Sequence, residues 1–196
     1  MSDIIVFTNR VLCAEPLLDR IEKISRSGVR GIVLRERDLN EEEYTTLATA
    51  AIEICRRHKT TCILHGFSRI AASLGCRSVH MPLPALRSLS CEERKFFRVL
   101  GASCHSQAEA VEAEKLGCTY ITAGHIFDTD CKKGLPGRGI EFLRRVCESV
   151  SIPVYAIGGI SAGNIADVRS AGAAGVCVMS GAMTCRDIEK YLGELK

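Results

Sequence analysis

The stretch IPVYAIGGISAGNIADVRSAGAAGVCVMSGAM, residues 152–183, decides the fold. It opens and closes on short apolar runs, IPVYAIGGI (152–160) and GVCVMSGAM (175–183), with the amphipathic segment AGNIADVRSAG between them. A strand, a helix and a second strand in this order imply parallel strands joined by a helical crossover. Both runs are nearly continuous in apolar residues, as strands covered on both faces should be.

The same unit repeats toward the N-terminus. IIVFTN (4–9), GIVLRE (31–36), TCILHG (61–66), SVHMP (78–82), RVLGASCH (98–105) and YITAGHIF (120–127) bring the apolar runs to eight. Helical patterns separate them. EPLLDRIEKISRSG places Leu17, Leu18, Ile21 and Ile24 on one face and ends at Gly28, a C-terminal stop. Asn40 is an N-cap for EEEYTTLATAAIEICRRH, whose acidic first turn and basic last turn suit the helix dipole. SQAEAVEAEKLG, GIEFLRRVCESV and TCRDIEKYLGEL continue the series, and the pieces after the third and fourth strands are shorter. Eight such units predict a single-domain α/β chain, a (β/α)8 TIM barrel over residues 1–196. An open doubly wound sheet is the alternative, weakened by the lack of a G-x-G-x-x-G after the first strand.

Composition narrows the function classes. Of 196 residues, 46% are hydrophobic and 25% charged, with a net charge of +3. Positive and negative residues are interleaved, so no basic face for nucleic acid is expected. No apolar run reaches the roughly 18–20 residues of a membrane span, and MSDIIVFTNR lacks the pattern of a secretory signal. The expectation is a cytoplasmic protein acting on a small anionic molecule. Eleven cysteines include no C-x-x-C pair and read as unpaired packing residues; Cys131, between Asp130 and Lys132, is the one set in a polar loop.

Chemistry in such barrels is expected at the C-terminal strand ends. His65, His80, His105 and His125 fall at or near the ends of the third to sixth runs, while His58 lies on a helix. Imidazole titrates near neutral pH and can move protons. No local ligand pair such as H-E-x-x-H is present, so no metal and no cofactor are expected. Gly158, Gly159 and Gly181 follow the seventh and eighth runs, where backbone N–H groups could approach a phosphate. The loop DTDCKKGLPGRG adds Lys132, Lys133 and Arg138 and looks able to close on an anion.

Several of these stretches resemble the family of thiamine phosphate synthase and its TenI-type thiazole tautomerase relatives. They are LRERD (34–38), ASCHSQAEAVEAEKLGCTYI (102–121), IPVYAIGGI with VMSGAM, and GHIFDTDCKKGLPGRG (124–139), the last similar to the tautomerase branch. In synthases of this family, magnesium is held by aspartates after the third and fourth strands. Here those places read His65-Gly66 and MPLPAL (81–86). Where synthases have Gly-Pro after the sixth strand, this chain has Gly124-His125.

The resemblance therefore implies a cofactor-independent tautomerase, an isomerase that aromatises a phosphorylated carboxythiazole. His125 is the implied proton shuttle. Gly159, Ser180 and Gly181 are implied to hold the phosphate, with Arg35 and Lys132 for the carboxylate or loop closure. Ser103 and His105 are pocket residues, His105 and His65 being second choices for acid/base work. The alternatives are a magnesium-dependent thiamine phosphate synthase and a ligand-binding regulatory protein without catalysis. Self-association as a dimer fits so small a barrel.

Overall fold

The structure is a computed structural model and describes residues 2–129 and 134–196. Eight parallel strands follow chain order in one closed sheet, β1 to β8, the arrangement of an α/β barrel. They are β1 (Ser2–Phe7), β2 (Val29–Leu34), β3 (Thr61–His65), β4 (Ser78–Pro82), β5 (Val99–Cys104), β6 (Tyr120–Gly124), β7 (Val154–Ile157) and β8 (Gly175–Val178). The two strands of the opening stretch are shorter than their apolar runs. Gly158 and Gly159 have φ of +106° and +67°, which turns the chain out of β7. Met179 leaves β8 for a short helix at Ser180–Thr184. Glycine, alanine and methionine prolong an apolar run without prolonging a strand.

Contacts divide the chain into two compact units. One is Met1–His80 with Val178–Lys196, and the other is Met81–Cys177. In the first, α1 (Leu17–Arg26) buries Leu17, Ile21 and Ile24, while Leu18 stays partly exposed. Arg20 and Ser25 are buried with them, the Arg20 guanidinium 2.7 Å from Glu15 and 3.0 Å from the Cys185 carbonyl. The α2 helix (Glu41–Arg57) begins with the expected Asn40 cap. The Asn40 side chain accepts from the Glu43 N–H, and Glu43 accepts from the Asn40 N–H, at 2.9 and 3.1 Å. His58 closes α2 beside Glu22, 2.9 Å away. Side chains such as Val6, Ile32, Leu34 and Leu64 are at most 1% exposed. Each contributes about 1.5–3 kcal/mol by leaving water.

In the second unit, β5 pairs with β6 from Gly101↔Tyr120 to Cys104↔Ala123, and β6 with β7 from Ile121↔Val154 to Gly124↔Ile157. The helices α6 (Gln107–Lys115) and α7 (Ile140–Ser149) cover these strands after the short α4 (Leu83–Arg87) and α5 (Cys91–Phe96), while the short α3 (Ser68–Ser73) belongs to the first unit. The remaining helices are α8 (Ile165–Ser170), α9 (Ser180–Thr184) and α10 (Ile188–Gly193). The ten described cysteines are all free thiols, while Cys131, Lys132 and Lys133 lie outside the described residues. Among the described residues, no helix is long and apolar enough to cross a membrane.

Candidate functional site

In the first unit, register builds a polar row at the ends of three strands. Leu34 pairs with Leu64 and His65 with His80, so Arg35, one residue past β2, falls beside His65. Tyr44 of α2 locks this corner. Its hydroxyl donates to the Leu34 carbonyl at 2.7 Å and accepts from the His65 N–H at 3.1 Å. The His65 and His80 rings stack with centroids 5.8 Å apart, and Phe7 meets His80 edge-on at 5.2 Å. Burial, then the positive charges of Arg35 and Arg37, lower the His65 pKa to about 4. Burial and then His65 hold His80 well below its ordinary value. Both rings are neutral at neutral pH.

Glu36 next to this row is buried at 2% exposure and fully engaged. It accepts from the Thr8 hydroxyl at 2.6 Å and from the Arg10 N–H at 3.2 and 3.0 Å. Thr8 in turn accepts from the Arg35 N–H at 2.9 Å, which fixes the backbone at Arg35. Asp38 pairs with the Arg10 guanidinium at 2.6 Å. The carboxylates of this corner therefore serve the protein's own donors. Ser180 and Gly181 open α9 in the same unit. A Cβ on Gly181 would sit 2.3 Å from the Tyr191 hydroxyl, so the glycine makes room for α10.

In the second unit, the ends of β5, β6 and β7 carry the other expected residues. Ser103 lies on β5, paired with Thr122. The His105 N–H donates to Glu109 at 2.5 Å. The His105 ring lies against Gly124, where a Cβ would come 2.9 Å from it. His125 has φ of +102°, a conformation L side chains rarely adopt, and is 5% exposed. Its Nε2 is buried with no hydrogen-bond partner among the described residues. A strained, buried imidazole with an unused nitrogen is a functional signature.

The chain beyond His125 is braced on both sides. Ile126 and Phe127 donate N–H groups to the carbonyls of Ile157 and Gly158, at 3.1 and 3.0 Å. Arg138 and Gly139 donate to His125 and Ile126, both at 2.9 Å. Asp128 accepts from the Gly137 N–H at 2.7 Å, and the Arg138 guanidinium lies 5.2 Å over the Phe142 ring. The bare Gly159 admits this segment, since a Cβ there would fall 2.5 Å from the Asp128 carbonyl oxygen. Close packing thus accounts for the missing side chains at both Gly159 and Gly181.

Sequence reasoning passed over Thr8, Glu36 and Tyr44, and saw His80 without a partner. The faint signal was a polar residue ending each of the first two apolar runs. Magnesium does not fit the residues present. Among the described residues, no three His, Cys, Asp or Glu side chains converge as a metal site. The two positions where synthases of this family hold the ion carry His65-Gly66 and Met81-Pro82.

Fold and strand-end chemistry define an α/β-barrel enzyme. The family model described as thiamine monophosphate synthase matches residues 4–182, and the chain belongs to that family. Thiamine-phosphate synthase 2 of Streptococcus pneumoniae is 32% identical over 180 residues, covering 89% of this chain and 84% of that one. Thiamine-phosphate synthase of Syntrophomonas wolfei is 30% identical over 198 residues, covering 98% and 93%. A solved structure, the thiamine phosphate pyrophosphorylase from Pyrococcus furiosus, superimposes with a TM-score of 0.85 at 29% identity, covering 98% and 93%.

These relationships overturn the tautomerase expectation and the isomerase class with it. The relatives carry the name of the synthase. The tautomerase reading had leaned on His125 and on two absent carboxylates, a handful of positions set against similarity along nearly the whole chain.

Proposed function

We propose that the chain is a transferase of the thiamine-phosphate synthase type, joining a pyrimidine diphosphate to a thiazole phosphate with departure of pyrophosphate. The observation that supports it most is the relationship to synthases at 30–32% identity, reaching 98% of the chain. In this reading Arg35, beside the neutral His65, receives an anionic end of substrate. In the second unit, Ser103 and His105 are pocket candidates, and the orphaned Nε2 of His125 is a hydrogen-bond partner for a substrate ring. Backbone N–H groups at Gly159, Ser180 and Gly181 and the Ser180 hydroxyl, with Lys132, are the phosphate-binding candidates.

A second reading, a ligand-binding protein that does not turn over, is favoured by the absence of a metal-binding cluster among the described residues. Purified protein given both substrates in Mg2+ buffer separates the two, with thiamine phosphate read by chromatography. Product above the uncatalysed level supports the transferase. Saturable binding of thiazole phosphate with no product supports the binding protein. Neither binding nor product sinks both readings.

A further inference from the structure

The helices of the first unit leave a groove open between α1 and the first half of α2. It offers about 450 Å3 and is lined by Leu18, Glu42, Glu43, Thr46, Leu47 and Ala50. Leu18 is the one apolar residue of the α1 stripe that is not buried, and Leu47 and Ala50 are half-buried with it. The acids differ in what they do. Glu43 caps α2 through the Asn40 N–H. Glu42 is exposed, and its carboxylate has no hydrogen bond or ion pair among the described residues. An occupant of this groove therefore needs an apolar anchor and a cation close to it. Groove against groove would bring one Glu42 to another, so like charges oppose a self-complementary contact.

The second unit carries the complement. Among the described residues, two large apolar side chains are strongly exposed, Val11 at 74% and Leu135 at 62%. Val11 follows Arg10, whose guanidinium is committed to Asp38. Leu135 precedes Arg138 by three residues, and Arg138 is exposed, rests on the Phe142 ring and makes no ion pair among the described residues. The spans agree. From Glu42 to Leu47 is about 7.5 Å along a helix axis, and three residues of loop reach at most about 10 Å.

We propose that Leu135 of one copy of the chain docks in the α1–α2 groove of a second copy, with Arg138 meeting Glu42. Burial of the leucine supplies most of the attraction, and the exposed ion pair sets the register. One anchor and one ion pair make a small interface, far from the area of a permanent dimer, so association rises and falls with concentration. Neither surface includes a group that the transferase reading places on substrate, and the contact stands whichever reaction the chain performs.

Sedimentation velocity of the full chain, from about 5 μM to about 1 mM, is the test. A reversible shift from monomer to larger species is expected within that range. L135D and L47D should each weaken it about ten- to hundredfold, the worth of burying one leucine. A 1:1 mixture of the two variants should associate where neither does alone, because an intact Leu135 then meets an intact groove. E42R and R138E change exposed side chains and keep the test valid should L47D fold poorly. Each alone should weaken association about fivefold, the upper range for an exposed pair, and their mixture should recover it. A chain that stays monomeric throughout, association that L135D and L47D leave unchanged, or a mixture no more associated than its components overturns the proposal. Loss in L47D but not in L135D would seat a different segment in the groove and overturns it as well.

Discussion

His125 carries two costs at once, a left-handed backbone and a buried nitrogen with no partner among the described residues. Such costs total about 1–3 kcal/mol each and persist where function selects them. Asparagine tolerates the same backbone and shortens the side chain. His125→Asn should therefore fold normally and raise KM for thiazole phosphate about tenfold, the worth of one hydrogen bond. An unchanged KM would remove His125 from the site. Tyr44 lends itself to a cleaner test of stability. Tyr44→Phe leaves the Leu34 carbonyl and the His65 N–H without their buried partner, at a cost of about 1–3 kcal/mol. Urea unfolding measures it, and a loss below about 0.5 kcal/mol would show that water replaces the hydroxyl.

At the scale of elements, the β5–β6 pair shows what a sequence leaves unseen. Gly101 faces Tyr120 across the ladder, and a Cβ there would meet the tyrosine ring at 2.2 Å. The tyrosine is buried, at 5% exposure, and meets the Tyr155 ring edge to face at 5.7 Å. Gly101→Ala should cost about 1–3 kcal/mol by overpacking, against a gain of a few tenths expected from backbone entropy alone. A stabilised variant, measured by thermal melting, would contradict the packing described here. In the sequence Gly101 looks like a weak point in a strand. Only the ring from a strand 19 residues away explains it.

For the whole molecule, the eight apolar runs were legible because parallel strands covered on both faces leave no polar face to read. The four strand-end histidines were legible for the same reason, as polar residues closing apolar runs. The Thr8–Glu36 pair was not, since its partners stand 28 residues apart and each alone looks like ordinary surface polarity. The functional branch was misread where His125 and two absent carboxylates outweighed the rest of the chain.

Stability against pH belongs to this scale too. His65 titrates at about 4 in the folded chain against an ordinary 6.5, and His80 lower than ordinary as well. As pH falls below 6.5, the unfolded chain takes up protons that the folded chain refuses, so stability is lost progressively toward pH 4. His65 alone accounts for up to about 3 kcal/mol. Urea midpoints should drop between about pH 7 and about pH 4.5, above most of the carboxylate range. A flat midpoint over that window would show that the rings are not neutral in the fold.

The sulfur content has a practical consequence. Cys55, Cys62, Cys104, Cys118 and Cys177 are buried, and burial pushes the Cys104 and Cys118 thiols up to about 12. A thiol-specific dye reacts with the thiolate, so it reaches these atoms only in molecules that have opened. Cys91, on the surface, marks the first instant of the reaction. With dye in large enough excess to outpace reclosing, the slow labelling that follows is a clock running at the rate of opening. Because each unit holds its own buried thiols, mass spectrometry of the labelled peptides would time the two halves of the barrel separately, with no probe added by mutation.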